Sequence, residues 1–361
     1  MQTYSVVPRE YKTVNEAEAI SRIKEHKRNL GKQMVILTHH YQRKELVPLG
    51  DYTGDSYYLS KVAANEKEAQ HIIFCGVHFM AESARILCRP EQIVYLPNPL
   101  AGCPMADMAE IDDVLSSWKE LKSVLSDSKV IPISYMNSAA SLKAFCGDND
   151  GVVCTSSNAH KAFEWGFKRG QKIFFFPDEH LGKNSCNRLK IPADEIIIWD
   201  PKKENGGNEL EKIRNAKVIL WKGYCHVHIN FTPEHVKKIR EQYPGALVVV
   251  HPECSEETVA LADASGSTNF IVNYVTEAPS GSVIAIGTEI NLISRLADMF
   301  PDKKILELTG QTCPMCVNMF RTTLGDLLYT LDNLGKVNII EVDPEVKQGA
   351  LLALERMLEL N

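Results

Sequence analysis

Apolar residues along this chain gather in short unbroken runs, and each run stops at a polar cluster. Residues 34–38 (M-V-I-L-T) lead into His39, His40, Tyr41 and Gln42; 71–75 lead into G-V-H, and 93–96 into P-N-P-L-A-G-C. The order then begins again. Residues 130–134 end in Tyr135, Met136, Asn137 and Ser138; 152–154 end in T-S-S-N; 172–176 end in P-D-E-H-L-G; and 218–221 deliver K-G-Y-C. A third round places 246–250 before His251, Pro252, Glu253 and Cys254, G-S-T at 266–268 before a further strand, 283–286 before G-T-E, and 304–308 before T-G-Q-T-C-P-M-C. Runs of this length without alternation suit strands of parallel sheets buried on both faces.

Between the runs lie helical patterns, at 14–30 with Asn15 as cap and Gly31 as stop, at 233–243 and at 292–300. Asp55 or Ser56 can cap another. Two last helices are predicted at 324–334 and 344–358, the second opened by Asp343-Pro344. Strands alternating with helices give an α/β fold. The recurrence predicts three similar units, drawn at 1–110, 111–229 and 230–361, with the final helices packing back on the first. Open parallel sheets bind ligands at the carboxyl ends of their strands, so three such units facing one another would pool those ends in one crevice.

Composition narrows the chemistry. The 361 residues are 44% hydrophobic, enough for two or three ordinary cores, and a formal charge of -6 gives no basic footprint for nucleic acid. The first residues hold no signal-peptide core and no later run reaches membrane-spanning length, which predicts a soluble, cytoplasmic protein. Ten scattered cysteines in so large a chain are not a disulfide framework, leaving metal ligation or reactive thiols. Cys103, Cys225 and Cys316 each follow an apolar run, one in each unit, and three thiolates suit a soft metal centre with one position open. From spacing alone, an iron-sulfur cluster, a zinc-dependent hydrolase or lyase, and a thiol redox sensor built on Cys313-x-x-Cys316 all fit. Cys75, Cys88, Cys146, Cys154, Cys186 and Cys254 read as inert core thiols.

His39, His228 and His251 stand at strand ends, where they can bind carboxylates or move protons. Glu253 is a candidate base whose pKa desolvation would raise, or else a helix cap. Ser56, Ser156, Ser267 and Thr268 fall near helix starts, as anion ligands or as simple caps.

The succession T-H-H-Y-Q, G-D-S, F-C-G-V-H-F-M-A-E-S-A-R-I-L, A-G-C-P-M-A-D, Y-M-N-S, C-T-S-S-N-A, W-K-G-Y-C-H-V-H, H-P-E-C, A-D-A-S-G-S-T, I-G-T-E and C-V-N-M closely resembles the quinolinate synthase family, in the right order from His39 to Met319. The resemblance implies three α/β/α sandwich domains in pseudo-threefold arrangement, and one 4Fe-4S cluster per chain held by Cys103, Cys225 and Cys316. Cys316 is preferred to Cys313 because C-V-N-M matches the family's last ligand motif. It further implies substrate contacts from His39, Ser56, Tyr135, Asn137, Ser156, His228, His251, Glu253, Ser267 and Thr268, with Glu253, His251, Tyr41 and Tyr135 in catalytic roles. His40 stands where relatives often carry Asn or Tyr and is given none. The implied reaction condenses iminoaspartate with dihydroxyacetone phosphate to quinolinate, releasing phosphate and two waters, in de novo NAD biosynthesis. An enzyme that makes iminoaspartate is the implied functional partner.

Overall fold

The computed structural model describes residues 7–310 and 314–360, so Cys313 lies outside the described residues. Every strand pairing within its three sheets is parallel. The first sheet contains β1 (Met34–His39), β2 (Tyr52–Gly54), β3 (His71–Cys75) and β4 (Ile93–Tyr95), in the order β2-β1-β3-β4. The second contains β5 (Val130–Tyr135), β6 (Val152–Cys154), β7 (Lys172–Phe176), β8 (Ile196–Trp199) and β9 (Val218–Trp221), in the order β6-β5-β7-β9-β8. The third contains β10 (Leu247–Val250), β11 (Ala264–Ser265), β12 (Val283–Gly287) and β13 (Lys304–Glu307), in the order β11-β10-β12-β13. Each sheet thus repeats one topology, with β8 added at one edge of the second. Helices flank all three, as in three similar α/β/α sandwiches.

Two compact units emerge from the chain path. The first takes the described residues up to Cys103, with Glu289–Arg295 and Met315–Asp343. Its core joins Ile36 and Ile73 of the sheet to Ile23 of the Glu16–Leu30 helix and to Leu324, Leu327, Leu328 and Leu331 of the Leu324–Asp332 helix. Asn15 caps the Glu16–Leu30 helix through Ala17 N, and Gly31 ends it at a positive φ that favours glycine. The second unit takes the described residues of Pro104–Thr288, Leu296–Pro314 and Pro344–Asn361, and so holds the second and third sheets. There the Pro344–Glu359 helix lies on the Ala140–Asp148 helix so closely that a Cβ on Gly147 would overlap the Gly349 carbonyl.

Two strands lie outside the runs read from the sequence, β8 although it is itself an apolar run, I-I-I-W. β2 is a three-residue, half-polar edge, and β8 is an extra edge strand outside the repeat. One expectation is overturned: Gly266–Ser267–Thr268 opens a helix, Thr268–Glu277, rather than a strand. Its buried Ile271 and Val275 are four residues apart, which is helical spacing. The strand there is β11, just before the motif, and only two residues long.

Candidate active site

Sheet register assigns matching duties to matching strands. His39 pairs with Gly54, Tyr135 with Cys154 and Val250 with Ser265 at the last rung of each first pair. Two residues beyond those second partners stand Ser56, Ser156 and Ser267 in turn. The first strand of each repeat, β1, β5 or β10, second in its sheet, ends at His39–Tyr41, at Tyr135 and Asn137, or at His251 and Glu253. The fourth-position strands β4, β9 and β13 precede the loops with Cys103, Cys225 and Cys316. The serines differ in local duty. Asp55, not Ser56, caps the Ser56–Asn65 helix, while Ser267 caps the next by accepting from Phe270 N at 3.4 Å. The buried Thr268 hydroxyl has no hydrogen-bond partner, so it is a group able to meet a ligand.

Within the second unit, side chains from three of these ends converge on Glu253. Tyr135 Oη donates to Glu253 Oε1 at 2.6 Å, and His228 Nδ1 meets Oε2 at 2.7 Å. His228 Nε2 lies 3.2 Å from Thr288 Oγ1, and its ring stacks on His251 at 4.5 Å between centroids. His251 Nδ1 accepts from Glu253 N at 3.4 Å. Tyr135, His228, His251 and Glu253 are all buried, so these contacts act in a low dielectric where each is strong. Asn137 and Ser156 are half-buried beside the same strand ends.

Electrostatics reverse one expectation. Burial does push the Glu253 carboxyl up, but the charges of His228 and His251 and the hydrogen bonds from His228 and Tyr135 outweigh it, leaving a pKa of about 2. Glu253 is therefore an anion at neutral pH, and the helix cap is Ser255, which accepts from Thr258 N. Burial and the neighbouring His228 lower His251 to about 3. Asp178, at the end of β7, is pushed well above the usual carboxylate range, first by burial and then by Glu253. Its Oδ1 accepts from Leu181 N at 2.6 Å, while buried Oδ2 has no hydrogen-bond partner.

In the first unit the 39–43 segment and the stretch after Cys316 meet. His39 Nδ1 accepts from Tyr41 N at 3.1 Å, Gln42 Nε2 donates to Met319 O at 3.0 Å, and Arg43 Nε donates to Phe320 O at 2.8 Å while covering the Phe320 ring. His40 Nδ1 lies 3.0 Å from an Arg295 nitrogen. Cys316 N donates to Glu289 Oε1 at 3.3 Å. Burial pushes Glu289 up to about 8 against hydrogen bonds from Asn291 and Cys316, so its carboxyl is neutral at pH 7.

Nine cysteines are described, and burial divides them. Cys75, Cys88, Cys146, Cys154, Cys186 and Cys254 are buried; Cys103, Cys225 and Cys316 are partly exposed. Burial pushes Cys75 and Cys186 up to about 12 and raises Cys146, Cys154 and Cys254 as well, keeping them as thiols. Among the described residues, one set of side chains could hold a metal ion: Cys225, His228 and Glu253, whose donor atoms lie within 4.8 Å of one another. Asp178, Thr288 and Glu289 follow β7 and β12, the third strands of their repeats, and were missed by the sequence reading. The signal was there, since the strand-end rule applied to the other strands reaches them too.

Residues 21–359 match the family described as Quinolinate synthetase A protein. A quinolinate synthase of Acidobacterium capsulatum is 53% identical over 92% of this chain and 90% of its own length. Those of Corynebacterium glutamicum and Anoxybacillus flavithermus are 48% and 47% identical, over 98% and 99% of this chain and 91% and 98% of theirs. With the repeated parallel-sheet topology and the strand-end residues in register, these likenesses establish that the chain belongs to the quinolinate synthetase A family.

Proposed function

We propose that this enzyme is a quinolinate synthase, condensing iminoaspartate with dihydroxyacetone phosphate to give quinolinate, phosphate and two waters. The observation that carries the reading is the buried Tyr135–Glu253–His228 constellation, a set of proton donors and acceptors at hydrogen-bonding distance. Carbonyl isomerisation, ring closure and two dehydrations each need a proton taken at one atom and returned at another. In our reading Glu253 and His251 handle those transfers with Tyr135 and Tyr41. Substrates carrying two carboxylates and a phosphate raise the pKa of every nearby group. Binding therefore lifts Glu253 from about 2 and His251 from about 3 toward the range where a group both accepts and releases a proton. Ser56, Ser156, Ser267, Thr268, Asn137 and His39 supply donors for the fixed negative charges.

The ligands assigned to a 4Fe-4S cluster are Cys103, Cys225 and Cys316. Donor chemistry supports the choice: a ligand must be a thiolate, and these three are the partly exposed cysteines among the described nine, whereas burial holds most of the others as thiols. When bound with three protein ligands, such a cluster supplies one open iron as a Lewis acid for dehydration. A zinc-dependent hydrolase or lyase is the second reading, favoured by the Cys225, His228 and Glu253 donor set. Against it, His228 and Glu253 are already satisfied by each other, by Tyr135 and by Thr288. The test is Glu253→Gln. Cluster absorbance kept with turnover lost is expected, and near-normal turnover removes Glu253 from the mechanism.

A further inference from the structure

We infer that Asn184 is a positioning residue for Glu253, an inference that rests on the role given to Glu253 above. Asn184 Nδ2 donates to Pro252 O at 2.8 Å and to Cys254 O at 2.9 Å. Those are the carbonyls on either side of Glu253, and they take both hydrogens of one amide group. The turn's own bonds are few: Cys254 N donates to His251 O at 3.0 Å, and Glu253 N reaches His251 Nδ1 at 3.4 Å. Nothing in that pair stops residues 252–254 from rocking as a body, and the Asn184 amide does.

The clamp sits on a fixed element. Asn184 lies in the Glu179–Arg188 helix, capped by Asp178 through Leu181 N and tied at its first turn by Glu179 N to Gly223 O at 2.8 Å. That approach needs glycine, because a Cβ on Gly223 would overlap the Pro177 carbonyl. One helix therefore grips the chain two residues before Cys225 and again on both sides of Glu253. The face that carries Asn184 also lines a cavity of about 280 Å³, which Asn184 shares with Pro252, Ser156, Ser265 and Gly266. Water entering that cavity reaches the Pro252 carbonyl that loses the amide, so removing the amide costs the fold little while the constraint disappears. A misplacement of about 1 Å at a reacting group lowers turnover about 10²-fold.

The test compares the full chain, purified without oxygen, with Asn184→Ala, Asn184→Asp and Asn187→Ala. Asn187 lies in the same helix but bonds Glu256 Oε2 instead, so its variant is the control. In Asn184→Ala, hydrogen exchange in the peptide holding Glu253 and Cys254 should accelerate at least about tenfold, with Tm lowered by no more than about 4 °C. Quinolinate-forming kcat should fall about 10- to 100-fold with KM within about twofold. Asn184→Asp, which faces two carbonyls with a carboxylate, should lose at least as much, and Asn187→Ala should match the parent. Unchanged exchange in Asn184→Ala overturns the inference, as does faster exchange with the parent's kcat. Should Asn184→Ala fail to fold, Asn184→Ser keeps one donor and carries the same readouts. If the parent forms no quinolinate, the reaction assigned above fails, and the exchange data alone decide whether Asn184 holds the turn.

Discussion

Cysteines inside the folded layers and cysteines in the strand-end loops have the same side chain and opposite prospects. Cys75 and Cys154 stand within β3 and β6, Cys146 and Cys186 within helices, and burial holds all four as thiols. Cys103, Cys225 and Cys316 lie past the ends of β4, β9 and β13, partly exposed. Burial, not residue type, decides which thiols are available for metal chemistry: Cys254 also follows a strand end, β10, but is buried and held as a thiol. Two buried glutamates repeat the lesson. Glu253 meets two imidazoles and a phenol and is driven down to about 2; Glu289, bonded to backbone N–H groups and one amide, is driven up to about 8. Burial pushes both up, and the imidazoles and side-chain hydrogen bonds around Glu253 reverse it there.

Breaking the loop class should do most. Cys103→Ala, Cys225→Ala or Cys316→Ala should remove iron and lower turnover by about three orders of magnitude or more, since a Lewis acid contributes several kcal/mol to the transition state. Colour and quinolinate formation read this directly. Glu253→Gln should keep the iron yet lower kcat by about 10²- to 10⁴-fold, the usual worth of a positioned acid or base. Acid should come next. His251 has a folded pKa near 3 against 6.5 unfolded, so only the unfolded state binds this proton between those values. Its stabilising contribution is whole above pH 6.5 and falls away toward pH 3, by about 1.4 kcal/mol per unit. Tm measured from pH 7.5 to 5 should decline, and His251→Gln should flatten the decline. Smallest is a change in the layer class: Cys154→Ala should keep iron and kcat and cost about 1 kcal/mol by denaturant melts, a cavity effect.

Much of this was legible in the sequence because buried parallel strands are unbroken apolar runs and the polar residues ending them are few. The runs at 34–38, 71–75, 152–154 and 172–176 fall on β1, β3, β6 and β7 within a residue. Short edges were hidden: β2 and β11 bury too little side chain to leave a pattern, so Gly266–Thr268 was placed before the wrong kind of element. The Glu253 pKa was missed for another reason. Desolvation is local and readable from an apolar run, but its reversal depends on His228, 25 residues away in sequence and 2.7 Å away in space. Asn184 was invisible likewise, as its partners are 68 and 70 residues distant.

The most direct test of the central claim is iron and acid-labile sulfide per chain, on protein purified without oxygen, beside Cys103→Ala, Cys225→Ala, Cys313→Ala and Cys316→Ala. About four of each per chain, lost in the Cys103, Cys225 and Cys316 variants and kept in the Cys313 variant, is the predicted result. Zinc without sulfide, or iron that survives the loss of Cys103 or Cys316, would contradict it.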